Sequence, residues 1–102
     1  MADVQQVLAQ RSKTNTPAIA SDTTALAANA DRGGFLIQNL GTNALFVKFG
    51  SGATTSVFHV VLKAGTANDD GTGGSYEQRD GLIYTGIVTI AGTSPRYTVT
   101  EL

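Results

Sequence analysis

The 102-residue chain contains no cysteine and only one histidine, His59. Without cysteine the fold cannot be held by disulfides, and with a single histidine a structural zinc site is not expected. A domain of this size buries only roughly 60–65% of the surface that its unfolded chain exposes, so its stability margin is small. Small domains that lack disulfides and metals often gain stability from contacts between subunits. The composition therefore favours a protein that assembles with copies of itself or with a partner.

Charge is also scarce. Charged residues make up 15% of the chain, and seven basic against eight acidic residues give a net charge of −1. The basic residues are spread evenly, whereas nucleic-acid binding needs several lysines or arginines that converge on phosphates. We therefore expect no nucleic-acid partner. Fourteen threonines and twelve glycines take the place of charges, and such a surface suits close packing between copies better than electrostatic steering.

Long apolar runs are missing as well. No stretch of about 18 apolar residues occurs, so no membrane-spanning helix and no membrane partner are predicted. Residues 1–6 have neither the basic nor the apolar region of a signal peptide. Together with the lack of cysteine, this indicates synthesis in the cytoplasm.

The polar segment of residues 1–14 differs from the rest of the chain. Val4, Val7 and Leu8 could form one helical turn, but isolated helices under about 12–15 residues are marginal. We expect an extended N-terminal arm over residues 1–14 that becomes ordered on a partner surface, because ordering it alone costs backbone entropy. Val4, Val7 and Leu8 are the candidate partner-binding residues. A frayed terminus is the alternative interpretation.

The remaining residues, 15–102, carry short apolar runs separated by glycine, asparagine and proline. Residues 45–49 show the clearest alternation, with Leu45, Val47 and Phe49 on one face. The runs at 35–39 and 45–49 flank a short Gly/Asn turn, which predicts a β-hairpin. Further strands are predicted at residues 17–21, 23–28, 56–63, 82–84, 86–91 and 96–101, and residues 64–74 are predicted to be a loop. This pattern predicts an all-β, jelly-roll-like antiparallel sandwich or small barrel.

Catalytic groups are not evident in the sequence. His59 is the only candidate base, and it is predicted in the middle of a strand rather than beside a bent nucleophile loop. Asp69 and Asp70 are adjacent, so they do not have the separation that paired carboxylate catalysts require. Residues 71–74 are glycine-rich but lack the lysine and the helix of a phosphate loop. The sequence therefore predicts no enzyme, no catalytic residue and no cofactor.

A cation site is a remaining question for the loop around Asn68, Asp69 and Asp70. These oxygen-bearing side chains resemble calcium-binding loops, but the alternating acidic spacing and the distant bidentate glutamate are missing. A solvated turn is the simpler interpretation, and no metal site is predicted.

The aromatic residues allow two interpretations. Tyr76, Tyr84 and Tyr97 could stack sugar rings, although the absence of tryptophan weakens a carbohydrate platform. The four phenylalanines are better explained as core or subunit interface: Phe35, Phe46, Phe49 and Phe58.

A resemblance to a known class of proteins begins at Arg32. Residues 32–50, RGGFLIQNLGTNALFVKFG, resemble a recurring pattern in small structural proteins of tailed bacteriophages. In that pattern an arginine and an I-Q-N strand lead into a turn and then into an L-[FY]-V-K-[FL]-G strand. Residues 84–89, YTGIVT, and the terminal YTVTEL look like later strands of such proteins. The resemblance extends from residue 32 to the C-terminus.

The resemblance implies a β-rich virion protein on the outside of a capsid. Proteins of this kind act as decoration or cement that bridges coat subunits, often as trimers. The expected partners are thus the major capsid protein and other copies of the chain, and the expected location is the capsid surface. Similar patterns occur in head fibres and tail adaptors, so a receptor- or carbohydrate-binding head-fibre or tail module, or a tail adaptor, is the alternative.

Overall fold

The computed structural model describes residues 12–15, 23–79 and 81–102. These residues form eight β-strands: β1 (Ser12–Asn15), β2 (Thr23–Leu26), β3 (Gly34–Asn39), β4 (Leu45–Phe49), β5 (Val60–Leu62), β6 (Ser75–Arg79), β7 (Val88–Ala91) and β8 (Tyr97–Glu101). Within these ranges no helix has the length and apolar character needed to cross a membrane.

The strands form two four-stranded sheets. The first sheet has the order β1-β8-β3-β6 and the second has the order β2-β7-β4-β5. Every pairing between neighbouring strands is antiparallel. Buried side chains from both sheets form one core, so the two sheets pack face to face. The predicted all-β antiparallel sandwich is confirmed.

The order of the strands is that of a jelly roll. Strands β1 and β8, β2 and β7, β3 and β6, and β4 and β5 pair in turn, as in one long antiparallel ribbon whose tip is the β4–β5 connection. The ribbon is rolled so that β3 also pairs with β8 and β4 also pairs with β7. Eight strands wound in this way are the defining feature of double-sheet jelly rolls.

The predicted hairpin of residues 35–39 and 45–49 is wrong. Both segments are strands, but β3 lies in the first sheet and β4 in the second. The turn at residues 40–44 therefore carries the chain across the sandwich. Among the described strands, only β4 and β5 are consecutive and also paired. Local alternation and a short turn are the same for a hairpin and for a crossing between sheets, so the sequence could not distinguish them.

Several predicted strands differ from the observed ones. The strand predicted at residues 56–63 is limited to β5, and residues 82–84 are not a strand. Strand β6 was not predicted because its residues are mostly polar. In β6 only Tyr76 and Gln78 are partly buried, and the residues between them are exposed. The predictions at 23–28, 86–91 and 96–101 are confirmed with shorter bounds, and 17–21 lies outside the described residues.

The predicted arm lies mostly outside the described residues. Its last three members, Ser12, Lys13 and Thr14, belong to β1 and pair with β8 at Thr100, Val99 and Thr98. The division at residue 14 stays a prediction.

The core is built from the inward positions of the strands. In β4 the side chains of Leu45 and Val47 are buried, while Phe46 and Lys48 are less so, as the alternation predicted. The core cluster comprises Ala25, Leu26, Phe35, Ile37, Leu45, Val47, Leu62, Val88, Ile90, Tyr97 and Val99. Burial of these side chains is the main source of stability, at about 25 cal/mol per Å² of apolar surface.

Arg32 closes one end of the sandwich. Its side chain is fully buried, and Nε donates to Oε1 of Glu101 at 2.9 Å. Its Nη1 donates to the carbonyl oxygens of Tyr84 and Gly86, each at 2.9 Å, and its Nη2 donates to that of Ala27 at 2.6 Å. One guanidinium group thus binds two loops and the last strand.

Asn39 closes the opposite end, at the other terminus of β3. Its buried side chain accepts the backbone N–H of Gly41 at 2.9 Å and donates to the carbonyl oxygens of Asn43 and Lys63 at 2.8 and 3.1 Å. These bonds fix the crossing after β3 and the loop after β5.

Gly34, which lies between Arg32 and Phe35 in the chain, cannot be replaced without strain. Its φ of 144° is rare for residues with a side chain. A Cβ at this position would also collide with the carbonyl oxygen of Gln78 on the neighbouring strand β6. This glycine allows β3 and β6 to pair closely.

We predict that Arg32→Met lowers the free energy of unfolding by about 3–5 kcal/mol, because it leaves Glu101 and three carbonyl oxygens without their buried donor. Arg32→Lys should also be strongly destabilising, since one ammonium group cannot span these acceptors. Urea unfolding followed by circular dichroism measures both effects. Arg79→Met, at an arginine whose side chain is 56% exposed, is the matched control and should change the free energy of unfolding by less than about 0.5 kcal/mol. A loss of less than about 1 kcal/mol in Arg32→Met would contradict the role given to Arg32.

Candidate interaction surface

The partner-binding residues predicted from the sequence lie outside the described part of the chain. Val4, Val7 and Leu8 belong to residues 1–11, so their role stays a prediction. The described residues provide a different candidate, on the outer face of the second sheet.

This candidate is an exposed apolar patch formed by Phe46, Val57, Phe58 and Val61, called the β5 patch below. Phe46 of β4 and Val61 of β5 are directly opposite each other in the sheet, so their side chains share one face. The rings of Phe46 and Phe58 are 4.9 Å apart. Val57, Phe58 and Val61 are 49%, 38% and 51% exposed. Exposed apolar patches mark interaction sites when they exceed a few hundred Å², so this smaller group is a candidate contact point rather than a whole interface.

The loop between β4 and β5 holds Val57 and Phe58 in place. Thr54 and Val57 form reciprocal backbone hydrogen bonds, at 3.0 and 3.3 Å, and Oγ1 of Thr54 accepts the backbone N–H of Val57 at 2.9 Å. The start of the loop is anchored by Ala53, which is buried and donates its N–H to Oγ1 of Thr89. Thr89 in turn donates to the carbonyl oxygen of Gly50 at 2.6 Å. The exposure of the patch therefore results from a bonded loop conformation.

His59 lies at the border between this patch and the aromatic interior. It is exposed and precedes β5 instead of lying in mid-strand as expected. Its ring stacks on Phe49 at 5.2 Å, and its Nδ1 accepts the backbone N–H of Phe49 at 3.0 Å. The backbone N–H of His59 donates to the carbonyl oxygen of Val47 at 2.8 Å. These contacts give His59 a structural role in joining the loop to β4.

The three tyrosines do not form a shared exposed platform. Tyr97 is fully buried in the core. Tyr76 and Tyr84 are partly buried, and each lies 5.6 Å from the ring of Phe49. Gln78 links them, because it donates to the hydroxyl of Tyr76 and accepts the backbone N–H of Tyr84. The sugar-stacking arrangement considered for these tyrosines is therefore not present.

The loop with Asp69 and Asp70 uses both carboxylates for internal bonds. Arg96 donates to both oxygens of Asp69, at 2.7 and 2.5 Å, which lowers the pKa of Asp69. The hydroxyls of Thr66 and Thr72 donate to Asp70, each at 2.6 Å, and so does the backbone N–H of Thr72. These bonds, led by the one from Thr66, lower the pKa of Asp70 to about 2. Oxygens occupied in this way are poorly placed to bind a cation.

Other possible metal sites were sought among histidine, cysteine and acidic side chains. In the described ranges no three of these side chains come together in a group that could hold a metal ion.

Comparison with protein families, with characterised proteins and with solved structures finds no match for this chain.

The β5 patch was only partly foreseen. Phe46 and Phe58 were assigned to core or interface, and the structure places both at this surface. The strand predicted at residues 56–63 did not indicate that Val57 and Val61 are exposed. Apolar residues in such a run are as typical of a buried strand as of an exposed one. Leu82, in the strand predicted at residues 82–84, is 99% exposed and lies outside the strands.

We predict that Asp70→Asn flattens the dependence of stability on pH in the acid range. The folded-state pKa of about 2 lies below the ordinary value of 3.8, so the ionised side chain stabilises the fold above about pH 4. This contribution is lost as the pH falls towards 2. Urea midpoints at pH 7, 4, 3 and 2 should therefore fall less steeply for Asp70→Asn than for the unaltered chain. Asp31→Asn, at another exposed aspartate, is the charge-matched control, and equal slopes for all three proteins would refute the prediction.

Proposed function

We propose that the chain is a virion structural protein of a tailed bacteriophage, and specifically a capsid decoration or cement protein. It binds the outer surface of the head and stabilises it by bridging coat subunits, and it does so in several copies, as a homotrimer. Its partners are the major capsid protein and itself. The single observation that carries the proposal is the exposed β5 patch on an otherwise neutral sandwich.

The patch supports an assembly role because its apolar surface contributes favourable free energy only when another surface removes it from water. Phe58 lies against Phe46, which is opposite Val61 in the sheet, and the neighbouring Val57 is held by hydrogen bonds to Thr54, so their exposure is a property of the fold. A protein that works by repeated contacts on a large particle needs apolar, shape-dependent surfaces more than charge.

The architecture is compatible with this role. Jelly rolls occur in viral capsid proteins and also in lectins, so the fold alone does not decide between a structural protein and a carbohydrate-binding module. The lack of a shared tyrosine surface, with Tyr97 in the core, leaves the carbohydrate alternative without a specific observation in its favour.

The residues that carry the resemblance to phage structural proteins have structural roles in this chain. Arg32 closes one end of the sandwich and Asn39 closes the other. Phe35, Ile37, Leu45 and Val47 between them are core residues. The shared pattern is thus a pattern of fold-determining residues. It supports a common architecture, and it leaves the partner to be decided by the surface.

Quantitative mass spectrometry of purified virions from the phage that encodes the chain tests the proposal. The expected result is hundreds of copies per particle, near stoichiometric with the major capsid protein. A count of three, six or twelve copies would instead assign the chain to a tail or vertex ring and overturn the decoration role.

Absence from the virion would overturn the structural role altogether. A glycan-binding assay with the purified chain then tests the receptor- or carbohydrate-binding alternative.

A further inference from the structure

The β5 patch is too small to be a complete interface between two folded surfaces. Since a free aromatic side chain presents about 150–250 Å², the exposed parts of Val57, Phe58 and Val61 amount to an area on the order of 200 Å². A stable interface between globular proteins takes about 800 Å² from each partner. A short apolar segment fits such a patch better than a second folded surface does.

The chain has such a segment in residues 1–11. It contains three apolar side chains within five positions, Val4, Val7 and Leu8, among polar neighbours. Asp3 and Arg11 are its charged side chains, so docking it on the patch would bury little charge. Its length is at most about 36–40 Å when fully extended.

The point where this segment joins the fold lies far from the patch of the same copy. Residues 1–11 precede β1, which is the edge strand of the first sheet, whereas the patch lies at β4 and β5, on the opposite side of the second sheet. Between the two are three strand spacings of about 4.8 Å and the gap of about 10 Å between packed sheets. The segment would use much of its length to pass around its own sandwich.

We propose that residues 1–11 of one copy dock on the β5 patch of the next copy. Val4, Val7 and Leu8 cover Val57, Phe58 and Val61 in a head-to-tail contact. The contact is heterologous, so its repetition closes into a ring when the rotation between successive copies is a whole fraction of a turn, as in a trimer. This inference rests on the proposed function only in assuming assembly in several copies, and it identifies the partner of the arm as a second copy.

The edge of the second sheet assists this contact. β5 is the last strand in the order of that sheet, and the carbonyl oxygens at its Leu62 end already accept from Asn39, so a segment lying along it can pair with its backbone at Val60. Lys48 and Lys63 lie beside the patch, on the same strand faces as Phe46 and Val61, and Asp3 of the incoming segment is acidic. Asp3, next to Val4 in the segment, can therefore pair with one of these lysines.

Crosslinking between single-cysteine variants tests the proposal, and the cysteine-free chain makes it specific. Full-length Val7→Cys is mixed with isotope-labelled Val61→Cys and treated with a short bis-maleimide. The expected product is a covalent dimer that joins one labelled and one unlabelled chain. Leu36→Cys replaces Val61→Cys in the matched control, because Leu36 is also an exposed apolar residue but lies in the first sheet. This control should give little dimer.

Light scattering during gel filtration gives the second readout. Val61→Asn should weaken self-association by about tenfold or more, whereas Leu36→Asn should not change it. Both positions are exposed, so both variants should fold.

Two results would overturn the proposal. One is a Val7→Cys, Val61→Cys double variant that crosslinks only within its own chain, and the other is a trimer that persists in Val61→Asn without any crosslink between copies. All these measurements use the purified protein without particles. The docking of residues 1–11 on another copy can therefore be refuted while the chain is still found on the capsid. It can equally be observed while the chain is absent from virions.

Discussion

The buried guanidinium of Arg32 is the interaction on which the arrangement of the two sheets depends. In a rolled ribbon nearly every connection crosses from one sheet to the other, so the ends of the sandwich are closed by loops whose carbonyl oxygens need donors. Arg32 supplies donors to Ala27, Tyr84 and Gly86 together with Glu101. A planar group with five N–H donors can do this from one position, which lysine cannot. Asn39 has the corresponding role at the other end of β3, with a neutral amide.

The residues that close the ends of the sandwich differ from most of those exposed on its faces. The resemblance to phage proteins therefore concerns the fold and does not identify a partner. The residues from Arg32 to Phe49 determine how the ribbon is rolled, because they include both end-closing side chains and four of the eleven core residues. The loop between β4 and β5 sets the exposure of Val57, which is held there by hydrogen bonds to Thr54. Phe46 belongs to both, but the other patch residues lie outside this segment, so a shared fold pattern can accompany different partners.

The sequence predicted the fold class and the inward face of β4, because alternation is a direct consequence of strand geometry. It could not place β3 and β4 in different sheets, since pairing is decided by contacts with β6, β7 and β8 that are distant in the chain. It missed β6 because an edge strand with one open face can be polar. Of the candidate surface, Phe46 and Phe58 could be predicted as core or interface residues. The exposure of Val57 and Val61 depends on a loop conformation that has no simple sequence signature.

The two edge strands on one side of the sandwich differ in a way that bears on assembly. β6 carries Glu77 and Arg79, paired with each other on its exposed positions, and charged side chains on an edge discourage pairing with another chain. β5 consists of Val60, Val61 and Leu62, so its protection comes from its neighbours: Lys63 follows it, and Asn39 donates to the carbonyl oxygens of Leu62 and Lys63. A chain with few charges could have protected this edge with a single lysine at Val61. The exposed valine at this position is the side chain that the proposed contact between copies would cover.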